Sequence, residues 1–199
     1  MIDVNKVVDF PKIQCPFVRV KRNGGYYATP EINPGFEWVF EEKGVIAVDK
    51  LHGTNICVNI DKHGYISSIH NRGNVVIEHP ALCTNIPSDA VRFIEGVLYA
   101  MKKGYIEKQK NTKIYGELIG PNINGNIHNV NEFRFIPFTY LKMKKHWNSW
   151  IRGDYPKTFD AIKDWMKHYQ SLYSRTDGEG VVFYHPDGRM AKVRKDMFE

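Results

Sequence analysis

A mostly antiparallel α+β fold, with helices flanking the sheets, is what this sequence predicts. Three observations carry that expectation. Short runs rich in Val, Ile, Tyr and Phe recur along the chain; turn signals at Asn23-Gly24-Gly25, Asp61 to Gly64, Pro121 to Gly125 and Pro186-Asp187-Gly188 separate several of them; and two segments space their apolar residues for a helix instead.

Taken in order, residues 17–21, 44–48, 55–60 and 65–70 read as strands, the last two joined by Asp61 to Gly64 into a hairpin. A helix follows, with Ser88 as N-cap, a stripe of Val91, Ile94, Val97, Leu98 and Met101, and Lys102-Lys103 before Gly104 as its stop. Strands return at 113–118 and 133–141. A second helix is capped by Thr158 and buries Phe159, Ile162, Trp165, Met166, Tyr169 and Leu172. Residues 180–184 and 189–194 close the chain as a hairpin. At 199 residues with no internal repeat, one domain is expected, spanning 1–199 without a C-terminal accessory domain, since only Val193 to Glu199 follow Lys192.

Composition narrows the class. With 42% hydrophobic and 25% charged residues the chain is globular, which excludes a disordered or collagen-like protein. Its 28 Lys and Arg against 22 Asp and Glu leave a net charge of +6, a bias toward polyanionic partners. Cys15, Cys57 and Cys83 form neither a disulfide framework nor a C-x-x-C pair, so a reducing, cytoplasmic setting is expected. No apolar leader or spanning stretch is present, and no membrane partner is expected. The eight histidines show no H-E-x-x-H pattern, and Pro80 between His79 and Cys83 argues against a one-turn zinc pair.

Chemistry concentrates at a few positions. The apolar run 44–48 leads into Asp49-Lys50-Leu51-His52-Gly53-Thr54-Asn55, setting a lysine at a strand end beside a glycine that a ligand can approach closely. If Ile60 faces Tyr65 across the first hairpin, the register carries Arg72 opposite Gly53, where a guanidinium can clamp phosphate or ribose oxygens. In the final hairpin, an even loop places Glu179, Lys192 and Arg194 on one face, with Val182, Ala191 and Val193 on the other. A further mixture of bases and aromatics, Lys142, Lys144, Lys145, His146, Trp147, Trp150 and Arg152, suits phosphate contact and base stacking.

Lys50-Leu51-His52-Gly53, Arg72, Tyr115-Gly116-Glu117-Leu118-Ile119-Gly120, Glu179-Gly180-Val181-Val182 and Lys192-Val193-Arg194 occur in the order of the motifs of the covalent nucleotidyltransferase superfamily, the ATP-dependent ligases and RNA capping enzymes, which the chain resembles over about residues 45–195. Phe138 sits where that family stacks an aromatic on the purine. Asp is usual in DNA ligases and capping enzymes at the position of His52; Lys-x-His-Gly-Thr-Asn, ending here at Asn55, is similar to phage-type RNA ligases that seal nicks and to RNA-editing ligases. Two departures stand out: Arg194 where a lysine is usual, and Thr139 after Phe138 where relatives often carry Asp.

The resemblance implies a ligase-type adenylation domain acting in RNA repair. Lys50 would attack the α-phosphate of ATP and hold AMP; the AMP would pass to a 5′-phosphate, and a 3′-hydroxyl would displace it, joining RNA ends or a nicked duplex. It implies Lys50, Lys192 and Arg194 as catalytic, and His52, Gly53, Asn55, Arg72, Glu117, Phe138 and Glu179 as further nucleotide contacts. Glu179 is the expected Mg²⁺ ligand, since hard oxygen donors suit that ion. Deprotonating a free lysine at neutral pH costs about 4.6 kcal/mol, which nearby cations reduce. DNA sealing or GTP-using capping are the enzymatic alternatives, and a catalytically silent nucleic-acid-binding relative is the non-enzymatic one. The intact Lys50, Glu179 and Lys192 set favours an enzyme.

Overall fold

Residues 12–72, 74–106, 110–143 and 154–198 are described by the structure, a computed structural model. In chain order the strands and helices are β1 (Phe17–Arg22), β2 (Gly25–Ile32), α1 (Trp38–Glu41), β3 (Ile46–Lys50), β4 (Thr54–Ile60), β5 (Ile66–Asn71), β6 (Asn74–Glu78), α2 (Ser88–Lys102), β7 (Thr112–Ile119), β8 (Arg134–Pro137), α3 (Phe138–Met143), α4 (Phe159–Lys167), β9 (Gly180–Tyr184) and β10 (Met190–Arg194). The class is α+β, and the described residues form three sheets in which every strand pairing is antiparallel. The chain divides into two units, one built from residues 12–51 and 154–198, the other from 52–143. Among the described residues no helix is long and apolar enough to cross a membrane.

The first unit holds the β1–β2 hairpin and a three-stranded sheet in the order β10-β9-β3. One face of that sheet is apolar: Ala47, Val181, Phe183, Ala191 and Val193 are buried against Phe17, Trp38, Ile162 and Met166. α4 begins as its sequence predicts, with the Thr158 hydroxyl accepting from the Ala161 amide. It ends at Lys167, so Tyr169 is buried from an irregular segment rather than from the helix, and Leu172 lies beyond it too.

In the second unit a five-stranded sheet runs β6-β5-β4-β7-β8. Ile56, Val58, Ile69, Leu118 and Phe135 form the core with α2. The face that α2 presents differs from the predicted stripe: Ala90, Phe93, Val97 and Ala100 are buried, whereas Val91, Leu98 and Met101 are 39%, 54% and 49% exposed. Close approach decides this. A Cβ at Gly96 would lie 2.2 Å from Leu118 Cδ1, so the helix turns its small residues and Phe93 to the sheet and leaves the bulkier side chains outside. Ser88 is the first helical residue, with Pro87 at the cap position.

Further differences are local. β2, β6 and α1 add to the predicted elements, and the run 133–141 is a strand only to Pro137 before α3 begins at Phe138. In the β4–β5 hairpin an irregularity at Asn59/Ile60 shifts the ladder, pairing Ile60 with Ile66 and Ile56 with Asn71. Arg72 therefore does not fall opposite Gly53. It lies beyond the ladder, exposed and left-handed (φ 53°), where the chain turns into β6 and Asn71 pairs with Asn74.

Candidate active site

β3 continues through Lys50, whose cross-strand neighbour on β9 is Gly180; Gly180 in turn pairs with Arg194 on β10. One step back, Val48, Val182 and Lys192 form the next row. Alternation along each strand then sets Lys50, Lys192 and Arg194 on one face of the sheet, opposite the apolar core. The expected parity of the final hairpin was different. Met190 pairs with Tyr184, so the connection is residues 185–189 and odd; Val182 shares the face of Lys192 instead of opposing it. The loop is held by Asp187, which takes the Arg189 guanidinium at 2.7 Å, while Glu42 takes another Arg189 nitrogen at 2.7 Å.

Glu179 precedes β9 and its Oε2 lies 2.6 Å from Lys50 Nζ, both side chains largely covered (13% and 22% exposed). Its backbone is fixed by the Lys195 amide, which donates to the Glu179 carbonyl at 2.8 Å. Burial lowers the Lys192 pKa, and the charges of Lys50 and Arg194 lower it further. Arg194 donates to Asp196 at 3.0 Å, yet its Nε is buried without a hydrogen-bond partner among the described residues. Three cations with an orphaned donor on one face, opposed there by Glu179, fit an anion with several oxygens, as a nucleotide phosphate chain has.

Asp49 faces the other way and was not anticipated. Only 2% exposed, it accepts from the Tyr169 hydroxyl at 2.6 Å, the Ser171 hydroxyl at 2.6 Å and the Tyr173 amide at 3.1 Å. Burial raises its pKa, against those donors, which lower it. The arrangement pins the end of β3 one residue before Lys50. Its sequence signal is an acid directly after the apolar run Ile46-Ala47-Val48 in the same strand.

The 52–143 unit carries the remaining predicted residues. Asn55 pairs with Glu117 across β4 and β7. The Gly53 amide donates to Glu117 Oε1 at 3.2 Å, and its carbonyl accepts from Asn124 Nδ2 at 2.6 Å. Gly53 has no room for a side chain: a Cβ would lie 2.3 Å from the Leu118 carbonyl oxygen and 2.8 Å from Glu117 Cγ. The His52 amide donates to His128 Nε2 at 2.9 Å. Phe138, expected on a strand, opens α3 and is half-buried. Arg72 stays apart at its turn. Neither His128 nor Asn124 was anticipated, although the asparagine density between Asn122 and Asn131 marks an unusual loop. Of the predicted basic and aromatic patch, Lys142 ends up exposed near the end of α3, while Lys144, Lys145, His146, Trp147, Trp150 and Arg152 lie outside the described residues.

Among the described residues no three His, Cys, Asp or Glu side chains gather as a cation cage. The Glu179 carboxylate beside Lys50 offers the hard oxygen donors that a divalent cation takes.

No protein-family model matches the chain, and no curated protein does. Among solved structures it is similar to RNA ligase from Naegleria gruberi. Against that ligase with PPi the identity is 20% and the TM-score 0.54, covering 79% of this chain and 52% of the other. A mutant with AMP and Mn gives 15% and 0.54, covering 96% and 62%, and an apo mutant gives 18% and 0.55, covering 93% and 61%. The chain thus spans between about half and three-fifths of the length of these structures. At this identity the likeness is one of fold: the chain has an RNA ligase-like nucleotidyltransferase fold.

Proposed function

We propose that the chain is the nucleotidyltransferase part of an ATP-dependent RNA ligase, with Lys50 as the residue that carries AMP. The observation that supports this most is Lys50 itself: a lysine at a strand end, ion-paired to Glu179 and sharing a face with Lys192 and Arg194.

In the first step one proton leaves the Lys50 ammonium, and Glu179, 2.6 Å away, is within reach to accept it. The freed lone pair forms a bond to the α-phosphorus of ATP while the bond to the bridging oxygen breaks, releasing pyrophosphate and leaving AMP on Nζ. Lys192 and Arg194 take up charge on the phosphates and on the leaving group. Glu179 is the residue that would hold Mg²⁺, which would supply positive charge to offset the polyphosphate. Glu117, Gly53 and Asn55 are assigned to the nucleoside side, Phe138 to the purine, and Arg72 to phosphate or ribose of the nucleic acid. AMP then passes to a 5′-phosphate, and a 3′-hydroxyl displaces it as the two ends join.

Sealing assays on nicked duplexes that differ only in the sugar at the 3′-hydroxyl side test the polynucleotide assignment. The proposal expects joining with ATP and preference for ribose at the break, following His52 in the Lys50-x-His52-Gly53 string. Preference for an all-DNA nick would make the chain a DNA ligase. Transfer of GMP from GTP would make it a capping-type enzyme, and binding without any transfer a silent relative.

A further inference from the structure

α2 carries two apolar faces. Ala90, Phe93, Val97 and Ala100 are buried in the core of the 52–143 unit, while a second row, Val91, Ile94, Leu98 and Met101, runs along the outside of the helix. Val91, Leu98 and Met101 are 39%, 54% and 49% exposed, and Ile94 lies at the rim of the core. Large apolar side chains scattered singly over a surface are ordinary, but a continuous row on one helix face marks an interaction surface.

Spacing and charge together specify what covers the row. Its members are three, four and three residues apart, the a and d positions of a heptad. That pattern reads the same from either end. A two-fold axis crossing the helix at position 96 therefore lays the row on its own copy, with Val91 against Met101 and Ile94 against Leu98. Glu95 and Lys102 follow Ile94 and Met101 by one position, where the e residues of a heptad border the seam. Both are exposed, and among the described residues neither takes part in an ion pair or a side-chain hydrogen bond. In an antiparallel pair e positions face e positions, so Glu95 of each copy stands beside Lys102 of the other and the contact is made twice. The other flank of the row, Ala90 and Val97, is uncharged and buried in the chain's own core. Parallel pairing would set e against that flank and leave both charges without an opposite.

We infer that α2 is a self-association surface: two copies of this chain pair antiparallel along Val91, Ile94, Leu98 and Met101, with Glu95–Lys102 contacts on the outer flank. This goes beyond the proposed function and does not depend on it. One helix pair of this length buries less than roughly 1,200 Å² in total, the range of transient complexes. The dimer accordingly forms at about 100 µM and above, and the chain is monomeric when dilute.

Sedimentation equilibrium of the full chain at low salt, from about 10 µM to about 1 mM, reads the association directly. The mass of the wild type should rise from monomer toward dimer across that range, and Leu98→Lys should hold it at monomer. Glu95→Lys and Lys102→Glu each turn both charged contacts into like-charge ones and should weaken association about 10-fold. Mixing these two variants in equal amounts is the sharpest arm. One copy then presents two cations and the other two carboxylates, so every cross-contact is attractive, and association should return to at least the wild-type level. All of these substitutions are at solvent-facing positions, and an unchanged melting midpoint at about 5 µM, well below the concentration at which copies pair, shows that each variant is folded. A wild type that stays monomeric to about 1 mM, or a dimer indifferent to Leu98→Lys, would overturn the inference. So would a mixture that associates no better than either variant alone, since the antiparallel register requires the rescue.

Discussion

Glu179 bears on Lys50 in two ways that one atom can separate. A carboxylate 2.6 Å from the ammonium stabilises its charged form, which opposes attack; as proton acceptor and cation ligand it promotes attack. Glu179→Gln keeps a group that can hydrogen-bond to Lys50 and removes the charge. Our account predicts a rate of AMP attachment lower by about 10²-fold, with an unchanged melting midpoint, measured by single turnover and thermal scan. A faster rate in this variant would mean that the carboxylate only holds the ammonium. Lys50 and Glu179 were legible because short motifs name them by residue type and order. The partners that fix the backbone beside them were not, because Asp49, Asn124 and His128 act through distances that no local spacing encodes. The grouping of Lys192 with Arg194 needed only alternation within β10, so it survives the wrong loop count.

At the scale of elements, α2 shows what periodicity reads and what it misses. The helix itself is legible from its spacing, but its buried face is chosen by how near the helix can come to β7 and β8, and that depends on Gly96 and the small residues Ala90 and Ala100. Counting large apolar residues pointed at the exposed side. Phe93→Ala is accordingly predicted to cost about 3–5 kcal/mol, whereas Leu98→Ala, more than half exposed, should fall within about 0.5 kcal/mol of wild type. Urea unfolding of both variants decides which face is core. The β4–β5 hairpin teaches the same lesson through its ladder: the residue types at Asn59 and Ile60 do not announce the irregularity, yet it moves Arg72 away from Gly53. β2 escaped notice because Pro30 and Glu31 interrupt its apolar run.

For the whole molecule, the surplus of cations sets an expectation for nucleic acid. Affinity built on phosphate contacts falls with salt at a log–log slope of roughly −0.7 to −0.9 per phosphate neutralised. With a net charge of +6, raising salt from about 50 to 200 mM is predicted to depress end-joining far more than AMP attachment, which engages a small ligand. Parallel salt titrations of the two reactions check this; matching declines would mean that polynucleotide is held by shape and stacking. The fold class was legible at this scale from strand runs and turn signals, whereas the division into two units was not, since residues 12–51 and 154–198 join across the sequence to build one core. The central claim is that Lys50 carries the nucleotide, and it is tested most directly by incubating the chain with α-labelled ATP or GTP and mapping the labelled peptide by mass spectrometry. The account predicts AMP from ATP, bound to the Lys50 side chain and lost in Lys50→Ala that remains folded. Label on a different lysine, label from GTP alone, or no label at all would contradict it.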